Sequence, residues 1–216
     1  MIKELIELHK SFLGTHETPP NSNNVIFNTE YYGHPVSGSR YPWCCVYQWY
    51  VFKMAGLSRL FYGGNKTASC TTLLNYYKKK GLTGKVPKVG ALAIFQFPSS
   101  RHIGYVAEVI SPAKFKTYEG NTSATDKGDQ ANGDQVAYRT RYTSQVVEFI
   151  YPEYTKKVHT TRDITVWTAP TKIDANRERT IPENYEVTVY DYIIEQNGEK
   201  WYRTIKGKYV LAKYCK

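Results

Sequence analysis

The stretch "YPWCCVYQWYVFKMAG", residues Tyr41–Gly56, sets two adjacent cysteines where a proline and a tryptophan lead into an apolar run. Pro42 suits the first turn of a helix, because its fixed φ is already helical and the N–H it lacks would be unpaired there. After it Trp43, Val46, Tyr47, Tyr50, Val51 and Met54 recur at helical spacing, and Cys45, Trp49 and Phe52 mark a second apolar face. A helix apolar nearly all round belongs inside its domain. The stretch therefore predicts a central helix with Cys44 in its first turn. At that position the helix dipole stabilises a thiolate, and a nearby histidine brings a thiol from about 8.5 into the range ~3.5 to 7.5. Cys45 points about 100° away and reads as a small buried hydrophobe, as do Cys70 and Cys215.

Upstream, Leu5, Leu8, Phe12 and Leu13 recur at helical spacing until Gly14, which predicts an amphipathic helix at the start of the chain. Residues 15–40 are rich in proline, asparagine and glycine and read as an ordered surface loop. Downstream, a helix is predicted over 70–79, with Leu73, Leu74 and Tyr77 inward and lysines at its C-terminus, where they complement the dipole. Beyond Pro87 the period becomes two. "ALAIFQF", "IGYVAEVI", "FKTYEG" and "VVEFIYP" read as strands of one antiparallel sheet, so helices precede a sheet in α+β order. Around "PEYTKK", near Tyr154, the pattern resets. Residues 157–216 then give short strands, "DITVWTAP", "YEVTVYDYI", "KWYRTIK" and "KYVLAKY", which fit a small β-barrel. Two domains are expected, 1–154 and 157–216.

Composition bounds the function. The chain has 216 residues, 41% of them hydrophobic and 22% charged, which describes a globular protein and excludes a disordered one. A formal net charge of +10 suits anionic partners, whether nucleic acid, membrane or a phosphate-rich wall, without choosing among them. Lys3, Glu4, Glu7 and Lys10 interrupt the apolar residues at the N-terminus, so no secretory signal is expected. No stretch approaches the ~18 apolar residues of a membrane span. Four cysteines without a C-x2-C pair make neither a disulfide framework nor a zinc site, and free thiols are expected.

A thiolate nucleophile needs a base. Of the five histidines, His9 lies on the first helix, His16 and His34 in the loop and His159 near the domain boundary, while His102 opens the strand "HIGYVAEV". Spacing alone leaves His102 open as base or structural residue. Glu119 and Asn121, in "TYEGNTS", close the next strand, where a hairpin returns the chain beside His102 and a polar group there can orient the ring. In "TDKGDQANGD" the carboxylates Asp126, Asp129 and Asp134 are compatible with calcium. Their spacing does not follow the D-x-[DN]-x-[DN]-G loop, so a solvated hairpin loop is expected.

Taken in order, "PWCCVYQWYVFKMAG", "PKVGALAIF", "HIGYVAEV" and "TYEGNTS", with "ELIELHKSFLGTHETPPNSNN" upstream, resemble the CHAP amidohydrolases and peptidases over roughly residues 1–154. These belong to the papain-like group that includes phage endolysins and bacterial autolysins. The resemblance implies a papain-like catalytic domain, helices packed on an antiparallel sheet, with Cys44 as nucleophile, His102 as base and Glu119 and Asn121 orienting it. The chain departs from the family at Ala91, where an aspartate is common, and at Cys45, where alanine is. The tail, "ITVWTAP", "VTVYDY" and "WYRTIKGKYVLAKY", resembles a bacterial SH3-type barrel. That resemblance implies wall binding through Trp167, Tyr190, Tyr192, Trp201, Tyr202 and Tyr209, of which alternation puts about half in the core.

The expectation is thus a peptidoglycan hydrolase of endolysin type, cleaving an amide bond as an N-acetylmuramoyl-L-alanine amidase or endopeptidase. It would need no cofactor or metal and act on peptidoglycan and anionic wall polymers as a monomer, with no nucleic-acid partner and no membrane insertion. It would be made in the cytoplasm and reach the wall after release. The alternatives are a catalytically silent wall-binding protein and a thiol peptidase acting on proteins.

Overall fold

The computed structural model describes residues 1–216 apart from 99, 126, 127, 130, 131, 191 and 192. Its contacts divide the chain into two units, Met1–Pro152 and Glu153–Lys216.

In the first unit the helices α1 (Ile2–Ser11), α2 (Ile26–Tyr32), α3 (Cys44–Met54), α4 (Arg59–Tyr62) and α5 (Cys70–Lys79) come first. The strands β1 (Thr83–Gly84), β2 (Leu92–Gln96), β3 (Arg101–Ser111), β4 (Lys114–Thr122), β5 (Gln135–Tyr142) and β6 (Val146–Ile150) follow. They form one antiparallel sheet in the order β1-β6-β2-β3-β4-β5. The α+β order expected from the sequence is the order observed.

Helix α3 is the centre of this unit. Every residue from Cys44 to Trp49 is buried, with Val51 and Phe52, as its all-round apolar pattern requires. It rests on β3 and β4, and Gly120 permits the approach. A Cβ at Gly120 would lie 2.6 Å from the Trp43 ring and 2.7 Å from the Tyr47 Cβ, so a larger residue would lift the start of α3 off the sheet. His9 of α1 is a core residue too. Its ring stacks on Tyr105 at 4.4 Å, and its nitrogens face the Leu5 carbonyl at 2.7 Å and Gln48 Oε1 at 2.9 Å. Burial holds its pKa down to about 4 despite those hydrogen bonds. On the opposite side of the sheet Ala91, Ala93, Phe95, Val106, Phe115 and Phe149 form a second core.

Besides short elements such as α4 and β1, two elements near the site differ from the sequence expectation. The loop over 15–40 contains α2, whose Phe27 is fully buried against Trp43 and Tyr47, with ring centroids at 5.5 and 5.0 Å. Strand β5 was not expected. Its inward positions include Arg139 and Arg141, so its alternation reads as that of a solvated segment.

In the second unit β7 (Thr155–His159) pairs with β10 (Glu186–Tyr190). The strands β8 (Ile164–Trp167), β9 (Arg177–Ile181), β11 (Ile194–Gln196), β12 (Glu199–Arg203) and β13 (Tyr209–Leu211) form a sheet in the order β11-β12-β13-β8-β9. Val158, Ile164, Val166, Ile181, Val189 and Val210 make its core. Of the six aromatics named in this unit, about half of which alternation puts in the core, Trp167 and Trp201 are buried. They meet edge to face at 6.3 Å and pack with Leu211, so neither offers a ring to a ligand. Tyr190, Tyr202 and Tyr209 are half-buried, and Tyr192 lies outside the described residues.

No helix among the described residues is long and apolar enough to cross a membrane. Asp126 of the acidic stretch lies outside the described residues. Asp129 accepts a hydrogen bond from the Asn132 backbone, and the Asp134 carbonyl accepts one from Glu17, so both serve the β4–β5 hairpin loop.

Candidate active site

The approach to α3 is fastened before the helix begins. Asn28 donates through Nδ2 to the carbonyls of Asn23 and Tyr41, both at 2.8 Å, which fixes the chain just ahead of Pro42. Trp43 Nε1 donates to Glu17 Oε1 at 2.7 Å, and the other oxygen of that buried carboxylate accepts from the Asn23 backbone at 2.8 Å. Trp43 is the N-cap, and no side chain caps the helix. The first-turn N–H groups of α3 therefore lie at the end where Cys44 sits, available to a developing negative charge.

Cys44 lies on the floor of an open groove of about 510 Å³, whose walls include Ser39, Pro42, Thr71, Arg101, Asp129 and Asn132. Cys44 Sγ is 3.8 Å from Sγ of Cys70, the first residue of α5. Cys45, the next residue, is fully buried and its Sγ donates to the Thr67 carbonyl at 3.4 Å, so it faces away from the groove. Among the cysteines, Cys44 and Cys70 line the groove.

His102, on β3, is fully buried and its Nε2 lies 2.9 Å from Glu119 Oε2 on β4. An ionised carboxylate can only accept, so Nε2 carries a proton in either charge state, and Nδ1 holds the lone pair when the ring is neutral. Nδ1 makes no other hydrogen bond, and Cys44 interacts with this ring. With Nε2 committed to Glu119, Nδ1 is the ring nitrogen left for another partner.

Glu119 is itself held on every side. Arg141 of β5 donates from Nε to Oε1 at 2.8 Å and from Nη2 to Oε2, and Thr117 Oγ1 donates to Oε1. Gly104 makes the room. A Cβ there would lie 2.8 Å from Glu119 Cγ and 2.9 Å from Thr117 Cβ. Burial opposes ionisation of Glu119, but Arg141 and His102 outweigh it and hold the pKa down to about 2. Burial likewise opposes the imidazolium of His102, yet Cys44 and Glu119 raise it to about 9. The Cys44 thiol is pushed up first by its contact with Cys70 and then by burial, while His102 pulls it down.

Of the residues expected at the site, the structure pairs His102 with Glu119 and sets Cys44 where it interacts with His102. Asn121 has its described side-chain hydrogen bond elsewhere. It sits at a bulge of β4 with φ 57°, and its Nδ2 donates to Asn132 Oδ1 at 3.4 Å in the wall of the groove. Sequence reasoning did not find Arg141, Thr117, Glu17 or the proximity of Cys70. Arg141 and Thr117 stand on the same strand face as apolar core residues, and nothing in one sequence marks such positions as polar partners.

The family comparison falls on this geometry. Residues 36–121 match the CHAP domain. The CHAP segment begins just before α3 and ends at Asn121, so it contains Cys44, His102 and Glu119, whereas Arg141 lies beyond it. No curated protein matches the chain. Among solved structures, the crystal structure of Ly7917 is similar at a TM-score of 0.43 and 14% identity, over 98% of this chain and 92% of that one. A second structure, Ly7917 with the hydrolyzing product of MDP, gives a TM-score of 0.42 and 13% identity over the same shares.

Proposed function

We propose that the protein is a cysteine-dependent peptidoglycan hydrolase that cleaves an amide bond of the bacterial cell wall. One observation carries the reading: a cysteine at a helix start, on the floor of an open groove, interacts with an imidazole whose far nitrogen is held by a buried carboxylate, all within a segment matching the CHAP domain.

The chemistry follows from the positions. As the substrate carbonyl enters the groove, His102 Nδ1 takes the Cys44 proton and Sγ attacks the carbonyl carbon. The imidazolium is stabilised through Nε2 by ionised Glu119. The tetrahedral oxyanion forms at the N-terminal end of α3, where backbone N–H groups and the dipole favour negative charge. His102 then gives its proton to the leaving amine and the C–N bond breaks, leaving a thioester on Cys44. Water, deprotonated by His102, hydrolyses the thioester and restores the thiol.

The second unit would hold the enzyme on the wall, as its SH3-type resemblance implies. The half-buried tyrosines Tyr190, Tyr202 and Tyr209 are the aromatics left for that role among the described residues named for it.

Clearing of a purified wall suspension tests the reading. Wild-type protein and Cys45→Ala are expected to lower turbidity and Cys44→Ala to leave it unchanged. Clearing by Cys44→Ala, or none by folded wild-type protein on walls of any tested species, would overturn it.

A further inference from the structure

We propose that Arg141 is a positioning residue of this site: its bidentate grip on Glu119 keeps that carboxylate ionised and aimed at His102, and thereby sets the proton balance between His102 and Cys44. The inference rests on the reading that Cys44 and His102 perform the chemistry, and it concerns a residue outside the CHAP segment.

The geometry is specific. Oε2 of Glu119 is shared by His102 Nε2 and Arg141 Nη2, and Oε1 by Arg141 Nε and Thr117 Oγ1. The carboxylate accepts four hydrogen bonds, so its plane cannot turn without breaking one of them. The guanidinium fork matches two carboxylate oxygens at once, which a lysine ammonium cannot do. Arg141 is 3% exposed and sits over the rings of Phe95 and Phe97, 5.3 and 5.7 Å from their centroids, so its own position is fixed by packing.

The charge argument follows from burial. Glu119 and His102 are both 0% exposed, and a lone buried carboxylate would take up a proton rather than stay charged. Among the described residues, the charged and titratable groups around Glu119 include Cys44 from α3, His102 from β3, and Arg141 with its buried neighbour Arg139 from β5. A fourth element, β2, presents Phe95. Arginine keeps its charge throughout the working range. With Arg141 in place, Glu119⁻ faces a fixed positive charge through two hydrogen bonds, and one proton can pass from Cys44 to His102 beside that bound pair. Without it, only His102 and Thr117 hold the Glu119 charge against burial, so the carboxylate is a weaker countercharge for the imidazolium and the Cys44 thiolate is less stabilised.

The test uses the full-length protein and two readouts. The first is the pH dependence of Cys44 alkylation by iodoacetamide, followed by mass spectrometry of the Cys44 peptide, which needs no wall substrate. The second is kcat and KM on soluble wall fragments. In Arg141→Met the alkylation midpoint is expected to rise by about one pH unit and kcat to fall about tenfold, one unit being a tenfold change in the thiolate equilibrium, with KM little changed. Arg141→Lys should recover part of both, because it keeps the charge and loses the fork. In a Glu119→Gln background Arg141→Met should change little further, since the two residues act as one unit.

A wild-type midpoint and kcat in folded Arg141→Met, or full additivity with Glu119→Gln, would overturn the proposal. If Arg141→Met does not fold, Arg141→Lys decides alone: a wild-type midpoint and kcat there show that the fork does not matter. A shifted midpoint in a protein whose wild type never cleaves walls would instead leave the proposal standing and sink the proposed function.

Discussion

Replacing Glu119 with glutamine keeps the shape of the side chain and removes its charge. In the structure Glu119 accepts from His102 Nε2 at 2.9 Å with both groups fully buried. A hydrogen bond to a charged partner contributes about 1.5–3 kcal/mol, and each ~1.4 kcal/mol is a factor of ten in rate. The amide can still accept from the ring but no longer balances the imidazolium. We therefore expect kcat/KM to fall roughly 10- to 100-fold, carried by kcat. The pH profile should move with it. His102 is raised to about 9 by Cys44 and Glu119 against burial, so without the carboxylate the alkaline limb of activity moves down toward neutrality. The same change removes the carboxylate charge that buried Arg141 pairs with, which lowers stability. Thermal unfolding should show that loss, and rates should be measured well below the variant's transition. Steady-state hydrolysis of soluble wall fragments across pH is the assay. A wild-type rate with an alkaline limb still near 9 would refute the reasoning.

The contact with Cys70 is the largest influence raising the Cys44 thiol, so Cys70→Ala should lower the pH midpoint of Cys44 alkylation. A rise would mean that the Cys70 S–H donates to the thiolate instead. His9 is held at about 4 when folded and returns to about 6.5 when unfolded, so its contribution is complete above pH 6.5 and is lost as the pH falls from there toward 4. Urea unfolding at pH 7.5 and pH 4 should show about 3 kcal/mol more acid destabilisation in wild type than in His9→Phe, and equal pH dependence would contradict this. A chain ending at Pro152 keeps the whole Cys44–His102–Glu119–Arg141 set and its own sheet. It should still cleave soluble fragments while clearing intact cells more slowly, because a second binding unit raises the local concentration of enzyme at the wall. Cosedimentation of residues 153–216 with purified walls checks the premise, and failure to pellet at any salt concentration would remove it.

The parts of the fold that follow apolar periodicity could be read from sequence. Helices α1, α3 and α5 and strands β2, β3, β4 and β6 announce themselves because one face of each buries carbon. Helix α2 does not, since its seven residues inside a stretch of prolines and asparagines are too short for a period to repeat. Strand β5 escapes for the opposite reason. Arg139 and Arg141 occupy buried positions, and a strand that buries arginine looks like one facing water. The site divides in the same way. Cys44 was legible from its place at a helix start, whereas His102, left open by spacing, was singled out by the resemblance of its strand to the CHAP family. Glu119 and Asn121 looked equivalent two residues apart. The bulge after Glu119 separates them, turning Asn121 toward Asn132 while Glu119 stays under the ring. Arg141 depends on a third strand closing over Glu119, and the Cys44–Cys70 contact on two helix starts meeting. Both are tertiary facts that no local pattern carries.

If Cys44 breaks an amide bond of the wall, the new chain ends made from purified peptidoglycan reveal it. Wild-type protein should release free amino and carboxyl groups in equal numbers, with no new reducing sugar ends, and Cys44→Ala should release neither. Reducing ends in the digest, or amine release that survives the loss of Cys44, would contradict the account.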